Sequence, residues 1–318
     1  MKKLNQVSDS QWEEVNEFNR EIVEEFLSQQ HLSPQTLKQY RSALRQFFYW
    51  VKEKCNDKPL YELKARDALK FQNYLLDHEL SSSAVKFKRS AVSSICNFLE
   101  VYYDDEYPSF RNIFSKKIPS VADNKRYEKN PLTEDELEFL ITELEKKEEW
   151  QMLAYLVFSY ETGCRRAEAQ QIKKEVVDYD YYKDKNYYVT HMIRGKGRGR
   201  EGEKIKLIFG DESKKYIKKW LEHRGEDNCE YVFVKKYKDG SVKPVSLETF
   251  NYWCSDVFSK ILNRRVYPHL LRSTRATHLN NQKRPIKAIQ KLLWHKSSNT
   301  TEIYIVDDED ELIDDIFE

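Results

Sequence analysis

A chain of 318 residues with 21 Tyr and 16 Phe but only 8 Gly and 8 Pro carries enough apolar material for two cores of ordinary domain size, which argues for a well-packed, helix-rich globular protein and excludes a disordered one. Five widely spaced cysteines with no CxxC pair, an N-terminus without an apolar signal core, and a longest apolar run of only 153–158 predict a reduced, cytoplasmic protein with no membrane segment. The net charge of +1 hides an asymmetry: residues 305–318 hold eight acids and no Lys or Arg, leaving 54 bases against 45 acids over 1–304, and such a basic body fits a polyanionic partner without demanding one.

In chain order, residues 12–27 place Trp12, Val15, Phe18, Ile22 and Phe26 at helical spacing and predict one amphipathic helix. Ser33 as N-cap, with Pro34 at the first helical position, opens a second that buries Leu37, Tyr40, Leu44, Phe47 and Val51 and turns Lys38, Arg41 and Arg45 outward. Further helices are expected over 65–76 and 83–99, the latter carrying Lys86, Lys88 and Arg89 ahead of its apolar half. Four helices with basic outer faces make a compact all-α domain over 1–114, and the Lys-rich segment 115–131, with two prolines, reads as a linker.

Thr133 and Glu136 form a T-x-x-E capping box for a helix reaching about Lys146. An apolar helix follows over 150–160, Gly163 makes a turn, and a new helix begins near Arg165. The period then changes to two in "NYYVTHMIR" and "EKIKLIF", which the Gly-rich "GKGRGREG" joins into a hairpin with a basic tip. From Asp211 onward the pattern is helical again, through "HLLRSTRATHLNN" and "IKAIQKLLWHK" to Tyr304.

A tyrosine that attacks a phosphodiester has a phenol pKa of about 10 to overcome. It needs cations fixed on the non-bridging oxygens, which the planar, permanently charged arginine fork suits, and the departing 5′ oxygen needs a proton from Lys or His. The chain offers such groups in order: Arg165 in "TGCRRAE", Lys196 in "GKG", His269 and Arg272 in "HLLR", His295 in "LLWH", and Tyr304 nine residues beyond that histidine.

With these six in this order and spacing, the sequence resembles the tyrosine recombinase (phage integrase) family, over nearly the whole chain. It departs from the family pattern in having Trp294 where Gly is common, Arg166 where a hydrophobic residue is common, and Ser273 where His is frequent. By resemblance Arg165 and Arg272 would clamp the scissile phosphate, the first aided by a nearby helix N-terminus. Lys196 would protonate the leaving oxygen and His269 would transfer a proton at Tyr304. His295 would bond a phosphate oxygen, Tyr304 would form a 3′-phosphotyrosine, and Glu168 would support the site.

The resemblance implies a mostly α fold with a small antiparallel β element. It comprises a helical, SAM-like core-binding domain (1–114), the linker (115–131) and a mixed α/β catalytic domain (132–306). The acidic tail (307–318), whose Leu312, Ile313, Ile316 and Phe317 form an apolar stripe, is expected to contact a neighbouring protomer. Lys38, Arg41, Arg45, Lys86, Lys88 and Arg89 are the expected DNA-binding faces. No arm-binding module is expected before the first helix, as in short Xer-like enzymes.

The implied function is site-specific DNA recombination by a homo-tetramer on inverted-repeat half-sites, with an accessory DNA-bending factor or a partner recombinase as further partners, in the cytoplasm at the nucleoid. A phosphotyrosine conserves bond energy, and the chain has neither HExxH nor paired-Cys ligands, so no metal or other cofactor is expected. The competing readings are a type IB topoisomerase-like enzyme, which would relax supercoils as a monomer, and a non-catalytic DNA-binding protein.

Overall fold

The computed structural model describes residues 3–29, 32–114, 118–122, 130–197, 202–294 and 305. The chain divides into two compact units, the first built from 1–128 and 197–202 and the second from 129–196 and 203–318. The architecture is mostly α-helical with small antiparallel β pairs.

In the first unit the single helix expected over 12–27 is two, α1 (Asp9–Glu13) and α2 (Glu17–Leu27). The break lies at Asn16, whose side-chain oxygen accepts the Asn19 N–H at 2.9 Å and whose amide donates to the Asp57 carbonyl at 2.7 Å. A cap anchored by a distant loop outcompetes helix continuation. Ser33 caps α3 (Pro34–Lys54) by accepting the Thr36 N–H at 3.1 Å, as the sequence predicts. With α4 (Ala65–Asp77) and α5 (Ser82–Tyr102), these helices enclose a core in which Leu44, Phe47, Phe48, Phe71, Ile95 and Leu99 are buried. Phe47 and Phe71 meet edge to face at 4.9 Å, a geometry worth about 0.5–1.5 kcal/mol beyond burial.

The second unit starts with α6 (Glu134–Lys146), closed by the predicted Thr133–Glu136 capping box. Next comes α7 (Trp150–Thr162), buried over 153–159 and therefore apolar all round. After the single turn α8 (Arg166–Ala169), β1 (Tyr188–Val189) pairs with β4 (Ile208–Phe209) and β2 (Ile193–Gly195) with β3 (Glu203–Ile205), both antiparallel. The register Ile193↔Ile205, Gly195↔Glu203 puts Lys196 just beyond the paired residues. Helix α9 (Asp211–Arg224) packs on α7.

A second hairpin, β5 (Val234–Lys236) with β6 (Val242–Pro244), turns at Asp239 and Gly240, the latter at φ +82. Each strand is three residues long and mostly solvent-facing, too short to show a period in the sequence, although Asp-Gly is a hairpin signal. Helix α10 (Leu247–Tyr252) runs through a π-helical turn (Trp253–Phe258) into α11 (Ser259–Ile261), and α12 (Pro268–Asn281) and α13 (Ile286–Leu292) follow. No described helix is long and apolar enough to cross a membrane.

Candidate active site

Gly163 ends α7 at φ +58, the left-handed conformation that glycine adopts without strain. A Cβ there would lie 2.3 Å from Leu293 Cδ2, so the position admits glycine on both conformational and steric grounds. Cys164 follows, with burial pushing its thiol up to about 12, which makes it an inert packing residue.

Arg165 then stands extended before α8. Its backbone N–H donates to Glu168 Oε2 at 2.7 Å and its Nη1 to Oε1 at 2.8 Å. Glu168 is 2 % exposed, so one buried carboxylate fixes both the chain entry and the guanidinium. The helix N-terminus expected beside Arg165 is a turn of four residues, too short to build much dipole.

Arg272, on α12, is 1 % exposed. Burying a cation costs several kcal/mol unless its donors are satisfied. Here Nη1 donates to the Gly163 carbonyl and Nη2 to the Leu293 carbonyl, the latter at 2.5 Å. Gly163 lies two residues before Arg165 and Leu293 two before His295. One buried side chain therefore joins the turn that presents Arg165 to the segment that leads to His295.

His269 sits in the first turn of α12, three residues before Arg272. The residue has an exposed surface, yet neighbouring protein strips enough water from its imidazole to push it below the ordinary 6.5, with Arg272, Arg165 and Lys196 acting in the same direction and Glu168 opposing. The neutral ring, able to accept a proton, is the form present near neutral pH. DNA cleavage is therefore expected to hold its rate as pH falls toward 6.5 and to decline only below it. His269→Gln should remove that acid limb, and an unchanged limb in the variant would assign it to another group. The folded state binds fewer protons than the unfolded one below pH 6.5, so this group's contribution to stability also falls on acidification.

Lys196 is exposed at the end of β2, within electrostatic reach of His269. The strand that carries it is tied to α8 by Gln171, whose Oε1 accepts the Arg194 N–H at 2.8 Å and whose Nε2 donates to the Arg194 carbonyl at 2.9 Å. The amide thus imitates a strand neighbour. Sequence reasoning missed Gln171, because nothing local pairs a residue after a short helix with a strand 23 positions on.

The structure thus brings together Arg165, Glu168, Lys196, His269 and Arg272. His295, Tyr304 and the tail from 306 lie outside the described residues. Ile305, the residue after Tyr304, packs against Ala276, Ile289 and Leu293 on α12 and α13. Among the departures from the family pattern, Arg166 turns outward toward Glu248, Ser273 is buried within α12, and Trp294 takes φ +53. That conformation costs a non-glycine residue about 1–2 kcal/mol.

In the first unit the basic candidates differ in what they do. Lys38 and Lys86 are exposed. Arg41 pairs with Glu24 at 2.5 Å, and Arg45 pairs with Asp9 at 2.6 Å while lying 5.3 Å over the Trp12 ring. Lys88 turns inward to donate to Gln46 Oε1, and burial lowers its pKa. Arg89 donates to the Pro119 carbonyl at 2.9 Å. Lys88 and Arg89 therefore bond within their own unit, which helical spacing alone could not distinguish from a solvated face.

The family model described as "Phage integrase family" matches residues 130–311, and "Phage integrase, N-terminal SAM-like domain" matches 20–106. The SPbeta prophage-derived recombinase-like protein YomM of Bacillus subtilis is 37 % identical over 305 residues, covering 95 % of this chain and 90 % of that protein. Tyrosine recombinase XerC of Staphylococcus aureus is 28 % identical over 293 residues, covering 89 % and 91 %. The Tn1549 transposon integrase, solved with transposon right end DNA, has the same fold, with a TM-score of 0.68 at 16 % identity over 94 % of this chain and 98 % of that one. With both of its regions matched and a relative that aligns over nearly its full length, the chain belongs to the phage integrase family of tyrosine recombinases.

Proposed function

We propose that this chain cuts and rejoins duplex DNA at a specific site through a 3′-phosphotyrosine at Tyr304. The observation that carries the reading is Arg272, which holds the Arg165 turn and the approach to His295 on one buried guanidinium. In this reading the Tyr304 phenol gives its proton to His269 and its oxygen attacks phosphorus. The P–O5′ bond breaks, and Lys196 Nζ gives a proton to the departing oxygen. Arg165, Arg272 and His295 bear on the non-bridging oxygens, where charge accumulates, and Glu168 holds Arg165. The phosphotyrosine retains the energy of the broken bond, so a 5′ hydroxyl from a partner strand reverses each step without a cofactor.

Residues 1–114 serve as the core-binding domain, 115–131 as linker, 132–306 as catalytic domain and 307–318 as contact to a neighbouring protomer. Lys38, Lys86, Arg41 and Arg45 face the phosphate backbone. Four protomers act on paired sites in the cytoplasm, at the nucleoid, with a DNA-bending factor or partner recombinase as auxiliary. Selection of bound duplexes from a random pool tests the reading and should yield an inverted repeat with a short spacer. Ending the chain at Val306 should leave binding to one half-site intact and weaken cooperative filling of the second. A pool with no repeat, together with supercoil relaxation by single protomers, would instead indicate a topoisomerase.

A further inference from the structure

Trp294 stands at the residue after the C-cap of α13, where helices commonly end with a left-handed backbone, and it adopts φ +53 there. A bulky side chain in this region is strained and persists only where surrounding contacts over-determine it. The contact here is a hydrogen bond: Trp294 Nε1 donates to the Lys206 carbonyl at 2.8 Å.

Lys206 directly follows β3, whose Ile205 pairs with Ile193 on β2. From that pair β2 runs through Gly195 to Lys196, and Gly195 is packed so closely beneath Ile205 that a Cβ would lie 3.0 Å from its Cδ1. The other side of Trp294 is equally fixed, since the preceding Leu293 gives its carbonyl to Arg272 Nη2 and seats its side chain against Gly163. The two strands of the lysine hairpin are thus held at two points: β2 by Gln171 to α8, and the chain leaving β3 by Trp294 to the segment entering His295.

We propose that Trp294 is a positioning residue for the leaving-group proton transfer, its indole strapping the Lys196 hairpin to the segment that Arg272 anchors. The inference rests on the reading of Lys196 as proton donor. Glycine at this position would end the helix without strain but could not make the strap. The tryptophan therefore couples two parts of the site that backbone geometry alone leaves independent.

The test compares cleavage of an ordinary duplex with that of a duplex whose 5′ bridging oxygen at the scissile phosphate is sulfur, a leaving group that needs no proton. Trp294→Phe keeps an aromatic ring without the N–H, and Trp294→Gly removes both the ring and the strain. Each should slow cleavage of the ordinary duplex about tenfold and that of the sulfur duplex less than about twofold. Because both rates come from the same preparation, their ratio does not depend on the folded fraction.

In the Trp294→Phe background, Lys196→Ala should shift the ratio no further than Lys196→Ala does alone. A wild-type ratio in both tryptophan variants, with Lys196→Ala still shifting it, would overturn the proposal alone. A ratio unmoved by Lys196→Ala would overturn the assignment of Lys196, and the proposal with it.

Discussion

Tyr304→Phe is expected to abolish the covalent DNA adduct while leaving DNA affinity within about twofold of wild type. The substitution keeps the aromatic ring and deletes only the phenolic oxygen. The neighbouring Ile305, seated against Ala276, Ile289 and Leu293, should still dock the segment. Adduct formation is read on a denaturing gel and affinity by gel shift. A denaturation-resistant adduct persisting in the variant would mean that another residue is the nucleophile.

Arg272→Ala should be nearly as severe for activity, and unlike Tyr304→Phe it should also weaken the fold. The loss of a fixed cation at a developing phosphorane costs on the order of a hundred- to a thousandfold in rate. The loss also strands the Gly163 and Leu293 carbonyls, each at about 1–3 kcal/mol when left buried and unsatisfied. Arg272→Lys keeps the charge but cannot span two carbonyls and reach a phosphate, so it should recover only part of either loss. Thermal unfolding and adduct formation on the three proteins check this, and a melting temperature unchanged in Arg272→Ala would remove Arg272 from its joining role.

The helices with strong caps were legible in the sequence, because their signals are local. Ser33 with Pro34 and Thr133 with Glu136 mark their boundaries within four residues. What escaped depends on distant partners. The break at Asn16 is fixed by Asp57, and the inward turn of Lys88 is fixed by Gln46, itself bound to the Asn5 carbonyl.

In the site, the residue types and their order along the chain nominated Arg165, Lys196, His269 and Arg272, and all four lie in one unit around α7 and α12. Their supports were not legible. Gln171 and the Trp294 indole bond backbone groups 23 and 88 positions away, and no periodicity encodes a side chain that substitutes for a strand neighbour. A buried arginine that spends two donors on carbonyls looks the same in sequence as one that faces only a ligand.

Trapping the covalent species shows whether Tyr304 attacks a phosphodiester to leave a 3′-linked phosphotyrosine. A duplex nicked beside the scissile phosphate lets the short 5′ fragment diffuse away and makes cleavage irreversible. Proteolysis of the adduct and mass mapping then identify the attached residue and the DNA end. A peptide containing Tyr304 bound to a 3′ phosphate is the expected product. Attachment through any other residue, or to a 5′ phosphate, would contradict it.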